Sequence, residues 1–254
     1  MSILRIITVI TVCVAMIFSF SNAKAAECKS WYIKRNGNYP PAPPSDYPML
    51  KQYGAFYIND NLNDGEKKLY LTFDAGYENG NIEKILDVLD KENIKSAFFV
   101  LDNLIIKNTD LVLRMANNGH MVCNHTKRHK NLSHCSKDEI ENDLKELEMI
   151  YKEKTGLEME KYFRFPEGKY SESALKCVSE LGYKTVFWSF AYADWDNCKQ
   201  PSHEYAMKKI LDNTHNGAII LLHPTSKTNA DILPTLISEW RKMGYEFGLI
   251  SEIY

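Results

Sequence analysis

The chain contains no C-x-x-C pair. Beyond Cys13 it has only Cys28, Cys123, Cys135, Cys177 and Cys198, an odd set from which no disulfide framework follows, although one or two bridges stay open. An excess of one charge is missing too. With 31 Lys and Arg against 33 Asp and Glu, the formal charge is −2, which argues against a nucleic-acid partner. Long apolar runs are absent except at the N-terminus. Residues 6–20 are almost wholly apolar, a stretch short for a membrane span.

That run follows Arg5 and precedes Ala23-Lys24-Ala25, a small-x-small cleavage site before Ala26. Residues 1–25 therefore read as a signal peptide. The mature protein is expected outside the cytoplasm, with unpaired cysteines pointing to a poorly oxidising niche and with membrane attachment only through an uncleaved signal. Cleavage would remove Arg5 and Lys24 and no acid, making the chain more acidic.

What remains suits one sizeable globular domain, since 44% hydrophobic and 25% charged residues over this length can bury a core without staples. Residues 26–66 form a separate lead-in. Pro40, Pro41, Pro43, Pro44 and Pro48 favour an extended conformation that cannot enter a sheet interior. Trp31, Tyr32, Phe56 and Tyr57 flank them, so the segment is either a strap packed on the domain or a plain spacer.

From residue 67 to 254, short apolar runs alternate with amphipathic helical stretches. Strands are expected at 68–73, 97–101, 121–124, 162–165, 184–189, 218–223 and 246–249. Helices are expected at 82–91, 110–118, 137–155, 171–181, 203–213 and 231–243, the third opened by the capping box Ser136-x-x-Glu139 and stopped at Gly156. This alternation predicts an α/β fold on a parallel sheet, open or closed into a barrel. Such folds build their sites at the carboxyl ends of strands.

Four motifs fall at those ends: Thr72-Phe73-Asp74, His125-Thr126-x-x-His129, Arg164-Phe165-Pro166-Glu167-Gly168 and Leu221-Leu222-His223. Asp74 leaves an apolar strand beside Gly76. Taken alone it would read as a loop or helix cap. His125 and His129 can share a face if the chain turns helically after its strand, and imidazole is the commonest metal ligand. Arg164, in a turn held by Pro166 and Gly168, can pin Asp74 in its charged form, the plain alternative being a surface ion pair. His223 ends a buried strand before Pro224 and is a candidate acid, the bland alternative being a core histidine. Asp194 can hold His223 protonated and Trp195 offers a sugar platform, the plain alternative for both being packing. His120, His134, His203 and His215 are read as structural or exposed. Base, metal dyad, orienting arginine and acid in this order are what metal-assisted amide hydrolysis needs.

The order and spacing resemble the polysaccharide deacetylases, also called the NodB-homology domain or carbohydrate esterase family 4, over residues 68–254. The run Gly76-Tyr77-Glu78-Asn79-Gly80 and the aromatic, proline-rich lead-in are similar to the muramic delta-lactam de-N-acetylases of spore formers. The resemblance implies a distorted (β/α)7 barrel that removes acetate from N-acetylmuramic acid of peptide-stripped peptidoglycan strands, leading to muramic delta-lactam in spore cortex. It implies Asp74 as general base, oriented by Arg164, with His125 and His129, joined by Asp74, as metal ligands. It implies His223, tuned by Asp194, as the acid, with Trp195 and Leu221 walling the acetyl pocket and Tyr77 and Glu167 at the substrate. A divalent metal, zinc by ligand type, is expected to be bound weakly, because Ala75 stands where the family has a second aspartate. Glu167 stands where the family usually has an aromatic. Functional coupling to an N-acetylmuramoyl-L-alanine amidase is expected. The rival readings are a deacetylase of N-acetylglucosamine or chitin-type chains and an inactive wall-glycan-binding module.

Overall fold

The computed structural model describes residues 27–253. The expected signal peptide lies outside them. In chain order the elements are β1 (Lys29–Ser30), α1 (Tyr47–Gln52), β2 (Lys68–Ala75), α2 (Ile82–Lys91), β3 (Ala97–Val100), α3 (Asp102–Lys107), α4 (Thr109–Asn117), β4 (Met121–Asn124) and α5 (Lys137–Thr155). There follow β5 (Glu160–Phe163), β6 (Lys169–Tyr170), α6 (Glu172–Glu180), β7 (Lys184–Thr185), α7 (His203–Leu211), β8 (Ile219–Leu222), α8 (Lys227–Lys242) and β9 (Glu246–Phe247).

Seven of the strands form one sheet in the order β7-β5-β4-β3-β2-β8, with β9 also on β2, and every pairing in it is parallel. The gap between β7 and β8 is closed by single bridges. Phe190 pairs with Ile220, while Phe56 and Ile58 pair with Val186 and Ala218. The result is the distorted (β/α)7 barrel. Strand alternation then divides β2. Leu69, Leu71, Phe73 and Ala75 join the large apolar cluster under the helices. Tyr70 joins Phe99, Cys123 and Ile219 in the interior cluster, and Thr72 and Asp74 share its face.

Strand β5 ends two residues before the expected boundary, which frees Arg164 and Phe165 to turn. The regular part of β7 stops at Thr185 because the following residues bend to meet both Phe56 and Ile220. Helix α8 starts four residues early, since the Ser226 side chain accepts from the Asn229 N–H and caps it there. Helix α5 has the expected capping box and a left-handed Gly156 at its end.

The proline-rich segment lies against the barrel. Trp31 is 7% exposed, stacks on Phe187 at 4.4 Å between ring centroids and donates its indole N–H to the Trp188 carbonyl at 2.9 Å. Gly168 makes that approach feasible. It has φ +65°, and a Cβ placed on it would lie 2.9 Å from the Cβ of Trp31.

Candidate active site

The end of β2 delivers Asp74 to the rim of the barrel, where Arg164 meets it. The fully buried guanidinium donates from Nη1 to Asp74 Oδ1 at 2.8 Å, from Nη2 to Thr72 Oγ1 at 2.9 Å and from Nε to the Val186 carbonyl at 3.0 Å. Its plane lies over the Phe99 ring, 4.1 Å from the centroid. Burial opposes charge on Asp74, but Arg164, with His125 and His223, outweighs it and holds the carboxyl below the usual carboxylate range. This is a buried, oriented pair rather than a surface one.

His125 and His129 come together differently from the helical turn expected. Residues 125–130 are not helical. Of the four non-glycine residues with positive φ among those described, Thr126 (70°), His129 (58°) and Glu167 (57°) are three. Left-handed backbone at a β-branched threonine is a genuine outlier. It is held by the Thr126 N–H on Asn124 Oδ1 at 2.9 Å and the Lys130 N–H on Thr126 Oγ1 at 3.1 Å. The turn leaves the two imidazoles 5.0 Å apart and nearly perpendicular, with His125 buried and His129 exposed. His125 Nδ1 donates to the Arg164 carbonyl at 2.8 Å, which leaves Nε2 as a bare acceptor, 3.4 Å from Asp74 Oδ2. Burial pushes this imidazole down to about 4, so it is neutral at physiological pH and Arg164 is the main charge facing Asp74.

Across the rim, His223 Nδ1 bonds Asp194 Oδ1 at 2.7 Å, and the His223 backbone N–H reaches Asp194 Oδ2 at 2.9 Å. Burial lowers the proton affinity of His223, but Asp194 and Asp74 raise it further, so the net shift is above the ordinary histidine value. Trp195, 60% exposed, stands edge-on to His223 at 5.9 Å. Tyr77, 44% exposed, accepts a bond at its hydroxyl from Asn197 Nδ2, joining the β2–α2 loop to the loop carrying Trp195. Leu221 is buried, on the same face of β8 as Ile219. Glu167 stays exposed at the mouth, paired with Lys169.

Two roles at this site escaped the reading of the sequence, that of Thr72 within its motif and that of Asn229. Thr72 takes one arm of Arg164. Asn229, only 1% exposed, donates from Nδ2 to Asp194 Oδ2 at 2.6 Å and to the His223 carbonyl at 3.1 Å, while the Tyr192 hydroxyl holds its Oδ1. An asparagine early in a helix carries no sequence signal beyond a turn or cap. The rest of the motif after Asp74 is architectural. Glu78 accepts from the Ile82 N–H at 3.0 Å to start α2, and Asn79 and Asn81 donate to the Thr225 carbonyl at 2.8 and 3.1 Å. His120 and His215 are buried structural histidines, and His134 and His203 lie at the surface.

The donor set fits a metal only in part. His125 Nε2 is a buried atom with no hydrogen-bond partner, as an incoming ligand requires, and His129 is beside it. Nevertheless, among the described residues no three His, Cys, Asp or Glu side chains group to hold an ion. Asp74 is engaged by Arg164, and Ala75 points into the apolar cluster on the opposite face. These residues fit an ion held chiefly by two imidazoles.

A curled parallel sheet that presents an arginine-held carboxylate, an imidazole pair and an aspartate-held histidine at one rim defines a hydrolase of amide bonds. Residues 61–186 match the polysaccharide deacetylase family. The chain is 37% identical, over 96% of its own length and 94% of the relative's, to the peptidoglycan-N-acetylmuramic acid deacetylase PdaA of Bacillus subtilis. The solved structure of that family 4 carbohydrate esterase superposes with a TM-score of 0.84, covering 89% of this chain and 97% of that one. A family 4 carbohydrate esterase from Bacillus anthracis superposes at 0.73 with 34% identity, over 89% and 96% of the two chains. The chain belongs to the polysaccharide deacetylase family, whose members are metal-dependent deacetylases.

Proposed function

We propose that the chain removes acetate from N-acetylmuramic acid in peptidoglycan strands whose stem peptides an amidase has already cut away. The reading rests chiefly on one observation: a carboxylate held in its charged form by Arg164 and a histidine whose proton affinity Asp194 raises share one rim, so a base and an acid stand together. Binding alone would need neither. The identity to the Bacillus subtilis enzyme over nearly its whole length supports the same substrate.

In this reading Asp74 takes the proton of the attacking water as its oxygen bonds to the acetamide carbon. Arg164 keeps the base aimed and low in pKa. As the C–N bond breaks, His223 Nε2 gives its proton to the departing amine and acetate is released, while Asp194 holds the ring through Nδ1. Trp195 and Leu221 wall the acetyl group, and Tyr77 and Glu167 flank the sugar. His125 and His129, with Asp74 beside them, would hold a divalent ion, zinc by ligand type and weakly, which when bound polarises the acetamide carbonyl. The freed amine can then attack the lactyl carboxyl, whose C–O bond breaks with loss of water, to close muramic delta-lactam, a product of spore cortex. Residues 67–254 carry this chemistry, residues 26–66 strap it, and residues 1–25 export it to the wall.

The test is muropeptide analysis with purified protein. Amidase-treated peptidoglycan is expected to yield muramic delta-lactam in product mass spectra, and untreated strands almost none, because a stem peptide adds bulk and removes the carboxylate charge. Efficient acetate release from chitooligosaccharides or from peptide-bearing strands, without lactam, would transfer the assignment to an N-acetylglucosamine deacetylase.

A further inference from the structure

The proposed substrate carries one group that none of the residues above receives: the free lactyl carboxylate, on the sugar carbon next to the one bearing the acetamide. Its partner must therefore stand at the rim of the same site. The two sides of that rim are unlike. On one side lies Glu167, whose carboxylate repels a second one and already occupies Lys169. On the other, a cavity of about 510 Å³ opens past the end of β2, its wall including Gly76, Tyr77, Asp102, Ile106, Lys107 and Arg128, two cations against one carboxylate.

Arg128 belongs to the strained turn between His125 and His129, so its backbone is set by the same bonds that place the imidazoles. Its Nε donates to Asp102 Oδ2 at 3.2 Å. Asp102 is anchored in turn: its side chain is 9% exposed, and its N–H donates to the Lys127 carbonyl at 3.0 Å, fastening α3 to the turn. With Nε engaged, the two terminal nitrogens stay open to solvent on a side chain 78% exposed, in the fork geometry that grips a carboxylate at two points. Lys107 adds a second cation with no carboxylate partner among the described residues, although it also borders Glu78, Glu83 and Asp110 in a neighbouring depression. Arg128 is accordingly the stronger determinant.

The geometry points to the cavity beside Tyr77 as the subsite for the lactyl carboxylate of N-acetylmuramic acid, with Arg128 making a two-point contact and Lys107 supporting it. This rests on the functional reading above. It adds a reason why peptide-stripped strands are preferred, since an amide-linked lactyl group brings no charge to Arg128.

Arg128→Gln, Arg128→Lys and Lys107→Gln should be compared with the unmodified protein on three substrates: amidase-stripped strands, the same strands with the lactyl carboxyl converted to its methylamide, and chitooligosaccharides. Wild type should prefer the free carboxylate. Arg128→Gln should raise KM for stripped strands about tenfold, the loss of a charge-assisted contact, and should erase the preference over the methylamide. Arg128→Lys should recover part of it, and Lys107→Gln should lose less. Wild-type KM and preference in Arg128→Gln at unchanged melting, or equal turnover of both strand forms by wild type, would overturn the subsite while leaving the deacetylase intact. No deacetylation of muramic acid by wild type would overturn the functional reading and the subsite with it.

Discussion

At the scale of single residues, the site is two charge states held apart by their surroundings. In the proposed mechanism Asp74 and His223 act as the bond breaks, so Asp74→Asn and His223→Ala should each lower kcat by roughly 10²–10⁴-fold with melting nearly unchanged. Steady-state kinetics and a melting curve check both. His223 has its proton affinity raised by Asp194, so its charged form persists to higher pH than that of an ordinary histidine, and activity should fall as pH climbs past that raised value. Asp194→Asn removes the raising partner, and the alkaline limb of the kcat profile should move to lower pH. An unmoved limb would separate Asp194 from the acid. Asn229→Ala takes a donor from Asp194 Oδ2 and leaves buried polar atoms unpaired, so it should cost about 1–3 kcal/mol of stability and also shift that limb, which mere destabilisation would not do. These residues differ in how readily the sequence showed them. Asp74, Arg164 and His223 end strands, where a charged side chain after an apolar run is conspicuous. Asn229 and Thr72 act through hydrogen bonds to residues far along the chain, and no local pattern announces that.

At the scale of elements, strand ends and loops matter more than helices. The β2–α2 loop is tied to the loop after His223 by Asn79 and Asn81, and to the Trp195 loop by Tyr77 and Asn197, so the two sides of the cleft are mechanically joined. The proline-rich segment bears on the same machinery. Trp31 stacks on Phe187, two residues from Thr185, and β1 pairs with β6 just after the Glu167 turn. Trp31→Ala should therefore destabilise the protein by about 3–5 kcal/mol, the usual cost of removing a buried tryptophan. Denaturant unfolding measures it, and a loss under 1 kcal/mol would return the segment to the role of a spacer.

For the whole molecule, stability comes from the apolar clusters on both sides of the sheet, and an ion held chiefly by two imidazoles should add little to it. Protein purified without added metal should hold less than one equivalent of zinc. Dialysis against a chelator should then cut deacetylation while moving Tm by no more than about 2 °C, in contrast to structural zinc sites, whose loss unfolds the chain. Stoichiometric metal that survives the chelator, or a large drop in Tm, would show a tighter ligand set than His125 and His129 provide.

The alternation of apolar runs and amphipathic stretches was enough to determine the parallel α/β sheet, because the sheet hides apolar strands under helices and each period is local to its element. The order of the four motifs likewise showed which side chains gather at the strand ends. The tertiary structure decided what depends on contacts between distant segments. A threonine at φ 70° replaced the expected helical turn between the histidines, a price met by the bonds around it. Regular β7 shortened because its continuation bridges first to Phe56, at Val186, and then to Ile220, at Phe190. Ala75 faced away from the imidazoles, Asn229 reached Asp194 across 35 residues, and Asp102 of α3 held Arg128 on the cavity that Tyr77 also lines. Such features depend on which surfaces meet once the barrel closes, a matter of geometry that a one-dimensional pattern does not contain.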